Sequence, residues 1–274
     1  MIDLHVHVLP GLDDGAPNLE VSRAMLTRMA ATGFRRLVAT PHLIEPLTDA
    51  YQIEALAALE TVRPVAAELG IAVEPGFEVV LTPGLAARLE AGEMSTLAGS
   101  RAVLVELPFV GWPHYAESSL FALQVAGYVP VLAHPERYVD VQMNPDLALA
   151  AAARGAVLQL TTASFTGVFG KAAQRSARGM LQGALAQGSL VVLATDAHAD
   201  GQRLVQVAPG LDWIRKHVPH GDVVVRWATE GVPAALLADA RAPVLDLSFF
   251  NGTHHQTAVG GAWLSLWRRV LDRA

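Results

Sequence analysis

The chain has 274 residues, 52% of them hydrophobic and 17% charged, which provides for a sizeable core and excludes a disordered composition. It contains no cysteine, so disulfides, thiolate metal sites and a cysteine nucleophile are all excluded. The formal net charge of -6 argues against a nucleic-acid-binding surface, but not against an anionic substrate, because bound cations reverse charge locally.

Met1 leads directly into "IDLHVH", without the basic start and apolar run of a secretory leader. No apolar run reaches the roughly 18 residues that a membrane span needs, so no membrane insertion and a cytoplasmic location are expected. Short β-branched runs predict strands over Ile2–His7, Arg36–Thr40, Ile71–Glu78, Ala102–Leu107, Val129–His134, Ala156–Thr161 and Leu190–Asp196, with Asp222–Trp227 a candidate eighth. Helical patterns fill the intervals: Leu19–Thr32, Ala50–Leu69, Pro83–Ala91, Tyr115–Ala126, Asp146–Arg154, Lys171–Gln187 and Leu204–His217. Gly33, Gly70, Gly127, Gly155 and Gly188 stand where left-handed caps would end five of these helices. Strands alternating with helices make βα units, hence a barrel or an open doubly wound sheet.

No linker divides the chain, so one domain is expected from Met1 to about Arg241. The tail, Ala242–Ala274, reads as loop ("SFFNGTHHQTAVGG") and a short amphipathic helix ("AWLSLWRRVLDRA") docked on the domain or on a partner.

Metal-binding residue types stand at the ends of these strands. His5 and His7 are two apart on the first strand, so alternation puts both on one face. His42 follows the second strand, Glu78 ends the third, and Glu106 follows four apolar residues in "AVLVE". His134 ends "VPVLA", and Asp196 and His198 follow "LVVLAT". In βα folds, chemistry gathers at the carboxyl ends of the strands. Explaining these groups as structural requires a separate partner for each buried polar group, whereas one polynuclear metal site accounts for all of them. Asp13 and Asp14 lie in a loop near the same rim, and periodicity does not say which of the two joins the cluster. His217 and His220 are expected to face solvent, His114 to lie in an exposed loop or line the pocket, and His254 and His255 to sit in the tail without a metal role.

The segments "HVH", "LDDGA", "ATPH", "VELPF", "LAHPERY" and "TDAH", in this order from Met1 to about Gly210, resemble the polymerase-and-histidinol-phosphatase (PHP) superfamily. Within it they resemble the manganese-dependent tyrosine-protein phosphatases of bacterial capsule and exopolysaccharide operons. The resemblance implies an α/β fold, a distorted (β/α)7 TIM-like barrel, holding three divalent metal ions, with manganese favoured and iron or zinc suited to the same donors. Carried over by motif, the ligands are His5, His7, Asp14, His42, Glu78, Glu106, His134, Asp196 and His198. Arg137 of "HPERY" matches a phosphate-contacting arginine, and Arg203 is a second substrate-binding candidate. The expected partner is a phosphotyrosine protein such as a tyrosine kinase tail; the oligomeric state is not legible.

Four carboxylates bring roughly -4, so three divalent ions would leave about +2, which attracts a phosphate dianion. The implied nucleophile is water activated by coordination, with Arg137 stabilising charge on the phosphoryl oxygens. Two alternatives are another hydrolase on this scaffold (a histidinol-phosphate-type phosphatase, a phosphodiesterase or exonuclease, or an organophosphate hydrolase) and a non-catalytic metal-stabilised interaction protein. Two departures from the family's pattern bear on substrate: "TEGVPAALL" stands where an asparagine-proline pair is common, and the tail matches nothing recognisable.

Overall fold

The computed structural model describes residues 1–43, 49–199 and 201–245. Eight short strands run β1 (Ile2–Val6), β2 (Arg36–Ala39), β3 (Ala72–Pro75), β4 (Glu78–Val80), β5 (Ala102–Glu106), β6 (Val129–Ala133), β7 (Val157–Thr161) and β8 (Val191–Ala194). All strand pairs are parallel, in one sheet ordered β1-β2-β3 and a second ordered β4-β5-β6-β7-β8. Two isolated parallel bridges join the two sheets, Val6 of β1 to Ala197 after β8, and His42 after β2 to Glu78 of β4. The result is an α/β fold whose strands are buried on both faces, and this is why they read as continuous apolar runs.

The helix Leu19–Thr32 shows why these segments fold as they do. Asn18 caps it by accepting the Val21 amide, and Gly33 ends it at φ 102°, where a side chain would be strained. Ser22, Met25, Leu26 and Met29, spaced for one helical face, are buried. Burying each of the larger apolar side chains stabilises the fold by about 1.5–3 kcal/mol. The other glycines expected as caps, Gly70, Gly127, Gly155 and Gly188, also have positive φ.

Three expectations need correction. The expected third strand is two strands, because the chain changes partner at Gly76. β3 pairs with β2, while Glu78 bridges to His42 and opens β4, which pairs with β5. A Cβ on Gly76 would lie 2.6 Å from Cγ1 of Val38, so only glycine permits this crossing. The candidate eighth strand, Asp222–Trp227, is helical: Gly221–Arg226 continues through a π turn, Trp227–Gly231, into Val232–Leu237. Its β-branched run packs a helical face into the core through Val224, Val225, Ala228 and Val232, so tertiary burial overrides strand propensity. Pro233 cannot donate to the Thr229 carbonyl, and the widened turn lies just before it. Finally, the expected helix Leu204–His217 is two, Gln202–Val205 and Val207–His217. Most of the tail lies outside the described residues. Among the described ones, Trp227 Nε1 donates to the Pro243 carbonyl and no helix is long and apolar enough to cross a membrane.

Candidate metal centre

β1 delivers the first two histidines. His5 and His7 are fully buried, with their Nε2 atoms 3.1 Å apart. Both approach Oε2 of Glu78, at 3.1 and 3.3 Å, and Oδ1 of Asp196, at 3.3 and 3.5 Å. Glu78 arrives at the first residue of β4 and gathers two more rings: Nδ1 of His42 is 3.2 Å from Oε2, and Nε2 of His134 is 3.0 Å from Oε1. Glu106, the last residue of β5, places Oε1 3.5 Å from the same His134 nitrogen. Asp14 closes the rim: its Oδ1 is 3.1 Å from Nε2 of His198 and 3.6 Å from Nε2 of His42.

All nine residues singled out as ligands thus meet in one cluster, in overlapping groups whose donor atoms lie within 4.8 Å of one another. Two of them, His134 (φ 31°) and Asp196 (φ 48°), adopt the left-handed conformation that non-glycine residues rarely take. Such strain persists where surrounding contacts enforce it, and here it turns both side chains inward after β6 and β8.

Two residues outside the expected ligand set, Gln159 and Asp13, hold the rings in place. Oε1 of Gln159 accepts the His134 backbone N–H at 3.0 Å and lies 2.8 Å from Nδ1 of His5. An oxygen that accepts from an amide must also accept from the imidazole, so Nδ1 of His5 carries hydrogen and Nε2 points into the cluster. Asp13 does the same for His7, at 2.7 Å from Nδ1, while also accepting the amides of Gly15 and His42. This separates the roles of the two neighbouring aspartates: Asp14 reaches the cluster directly, and Asp13 orients a ring in it. Beneath them the buried Asp3 accepts from the hydroxyl and amide of Thr195, tying β1 to the end of β8.

The electrostatics fit a cationic occupant. Burial disfavours a charged His7, but its hydrogen bonds to Asp13 and Glu78 outweigh this and raise its pKa to about 10. Burial likewise pushes Asp13 up, and the hydrogen bond and charge of His7 bring it down to about 2. Burial, reinforced by the charge of Glu78, raises Glu106 to about 7. Mixed imidazole and carboxylate donors suit transition-metal cations, and two Nε2 atoms 3.1 Å apart need a proton or a cation between their lone pairs.

The two arginines converge on one carboxylate oxygen. Nη1 of Arg137 and Nη1 of Arg203 each lie 2.6 Å from Oδ2 of Asp196. Arg203 also donates to the Asp196 carbonyl, and its Nη1 is 2.7 Å from Nδ1 of His198. It is thus a member of the cluster and not a solvated surface group. The Arg137 guanidinium lies 4.8 Å from the ring centroid of Phe109, the last residue of "VELPF", and 4.4 Å from that of Phe169; neither was assigned a site role from the sequence. The other described histidines stay apart: His114, His217 and His220 are exposed, and none belongs to a cluster of candidate ligands. His254 and His255 lie outside the described residues.

A parallel α/β scaffold that presents an imidazole–carboxylate cluster of candidate metal ligands with two arginines defines a metal-dependent protein of the hydrolase type. The chain belongs to the capsular polysaccharide synthesis family CpsB/CapC, whose model matches residues 1–226. Tyrosine-protein phosphatase YwqE of Bacillus subtilis is 32% identical over 203 residues, covering 72% of this chain and 77% of its own length. Tyrosine-protein phosphatase CpsB of Streptococcus pneumoniae is 30% identical over 146 residues, covering 53% of this chain and 60% of its own. A crystal structure from work on these same two proteins, described there as unique metal-dependent tyrosine phosphatases, superposes with a TM-score of 0.79 at 29% identity. That match covers 89% of this chain and 97% of the other.

Proposed function

We propose that the chain is a metal-dependent phosphomonoester hydrolase acting on phosphotyrosine in proteins, with the tail of a polysaccharide-synthesis kinase as its partner. The observation that carries this reading is the convergence of nine donor residues, Glu78 and Asp196 among them, in one cluster, with two arginines on Asp196. The names of the relatives support the substrate class. The two bridges joining the two sheets support the distorted (β/α)7 barrel, with β3 and β4 counted as one interrupted strand.

The donors His5, His7, Asp14, His42, Glu78, Glu106, His134, Asp196 and His198 would hold three divalent ions, manganese favoured, with iron or zinc compatible with the same ligands. When bound, the ions supply Lewis acidity and a nucleophilic water at neutral pH. The chain's own residues do the rest. Gln159 and Asp13 fix the rings of His5 and His7, so the donors need no reorganisation. Arg137 and Arg203 hold the phosphoryl oxygens and stabilise charge developing on them. A tyrosinate leaving group, with a pKa near 10, departs with less proton assistance than an alkoxide.

Elemental analysis of the purified protein, combined with turnover of a substrate panel before and after chelation, tests the proposal. The panel comprises phosphotyrosine peptide, histidinol phosphate, a phosphodiester and single-stranded DNA. Stoichiometric metal and chelator-sensitive preference for the phosphotyrosine peptide are expected. Preference for another member would reassign the substrate, and metal without turnover of any would leave a binding protein.

A further inference from the structure

Phe109 stands three residues beyond Glu106, where β5 opens onto the rim, and remains 41% exposed. Single exposed apolar side chains need no explanation. Phe109 differs in what its ring touches. It stacks on the candidate ligand His134, with centroids 5.6 Å apart and planes at 11°, and meets Tyr138 edge-on at 5.9 Å. The Arg137 guanidinium lies over it at 4.8 Å. Phe169 meets that same guanidinium at 4.4 Å, so two rings contact Arg137. The Val139 amide donates to the Phe109 carbonyl, and the Gly111 amide to the Asp140 carboxylate, which pins the loop carrying Phe109 to the helix after Arg137. An exposed aromatic surface is therefore fixed beside the arginine and the cation-binding cluster. That surface is of no use to the phosphoryl group, which is polar. It suits whatever apolar, planar group the phosphoryl group carries.

We propose that Phe109 is a specificity-determining residue: its exposed surface packs against the aromatic ring of a ligand whose phosphoryl group is held by Arg137. The inference deepens the hydrolase reading and rests on it, and it predicts selection of aryl over alkyl phosphoryl groups. Phe169, which also lies 5.2 Å from the Arg203 guanidinium, contacts both arginines through its ring.

Titration calorimetry of the manganese-saturated protein with phenylphosphonate and methylphosphonate tests this. The wild type binds the phenyl compound more tightly. In Phe109→Leu and Phe109→Ala the ratio of the two affinities falls by up to about tenfold, the scale of one aromatic pair, and Phe109→Tyr restores it. A wild-type ratio near one, or a ratio unchanged in both variants, overturns the proposal. So does loss of methylphosphonate binding in parallel with phenylphosphonate, which would make Phe109 only a support for Arg137. Neither phosphonate is hydrolysed, so the two readings fail separately. Preferential phenyl binding without turnover of any phosphomonoester sinks the hydrolase alone, and turnover with an unaltered ratio sinks the aromatic wall alone.

Discussion

Oδ2 of Asp13 accepts a hydrogen bond from Nδ1 of His7 at 2.7 Å, and the same oxygen accepts the amide of His42 at 3.0 Å. One carboxylate outside the donor set thus sets the position of two candidate ligands. Asp13→Asn should weaken metal binding by about 10–100-fold while leaving every direct donor in place, because an amide offers only one acceptor oxygen. Competition with a fluorescent chelator measures this; unchanged affinity would show that His7 needs no support.

Gln159 occupies the middle of a strand that is otherwise apolar apart from its final threonine. Gln159→Leu preserves the volume but leaves the His134 N–H and the His5 Nδ1–H without an acceptor. Urea unfolding of the metal-free variant should reveal a loss of about 1–3 kcal/mol, the cost of an unsatisfied buried donor. Metal affinity should fall as well, and a variant as stable as the parent would remove Gln159 from its assigned place.

Arg137 and Glu78 should separate catalysis from metal retention. Arg137→Ala is expected to lower kcat by about 100-fold or more with metal content intact, since it removes a charge-stabilising donor. Arg137→Lys should not restore the rate, because an ammonium neither forks onto phosphoryl oxygens nor stacks on aromatic rings as a guanidinium does. Glu78→Gln should lose metal and activity together, as it withdraws the carboxylate around which four imidazoles gather. Elemental analysis beside the rate measurement distinguishes the two variants.

Gly15 makes the closest backbone approach in the loop bearing the two aspartates. A Cβ there would lie 2.3 Å from the His7 carbonyl oxygen and 2.6 Å from the His7 Cβ. Gly15→Ala must displace that loop, with a loss of about 1–3 kcal/mol and a lower metal occupancy. Gly179→Ala, in the interior of the helix Gly170–Gln187 with nothing within 4 Å, serves as the control and should be neutral or stabilising by up to about 1 kcal/mol. Thermal denaturation of the metal-loaded and chelated forms reads both.

Much of the cluster was legible because donors at strand ends interrupt apolar runs, as Glu106 does after "AVLV" and His134 after "VPVLA". Assigning Asp14 over Asp13 depended on resemblance, since both residues belong to one loop and their roles differ only in three dimensions. Gln159 left a trace, a polar side chain amid apolar residues, but no pattern tells a ring-orienting amide from a structural one. Phe109 closes the segment "VELPF", but nothing in that pattern tells a ring left exposed at the rim from a core residue after a strand. The segment Asp222–Trp227 reads as a candidate strand because its three consecutive valines favour one locally, and only packing against the core makes it helical. The break at Gly76 escaped notice because a change of strand partner is not a local property.

Asp3 bonds to Thr195, the amide of Asp196 donates to the His5 carbonyl, and the amide of His7 donates to that of Ala197. The first and last donor-bearing segments of the chain are therefore stitched to each other, with every other donor between them in sequence. A nascent chain still short of His198 holds only part of the donor set, and its first strand, already able to pair with β2, still lacks its second neighbour. The complete donor set therefore exists only once the segment after β8 has closed against β1.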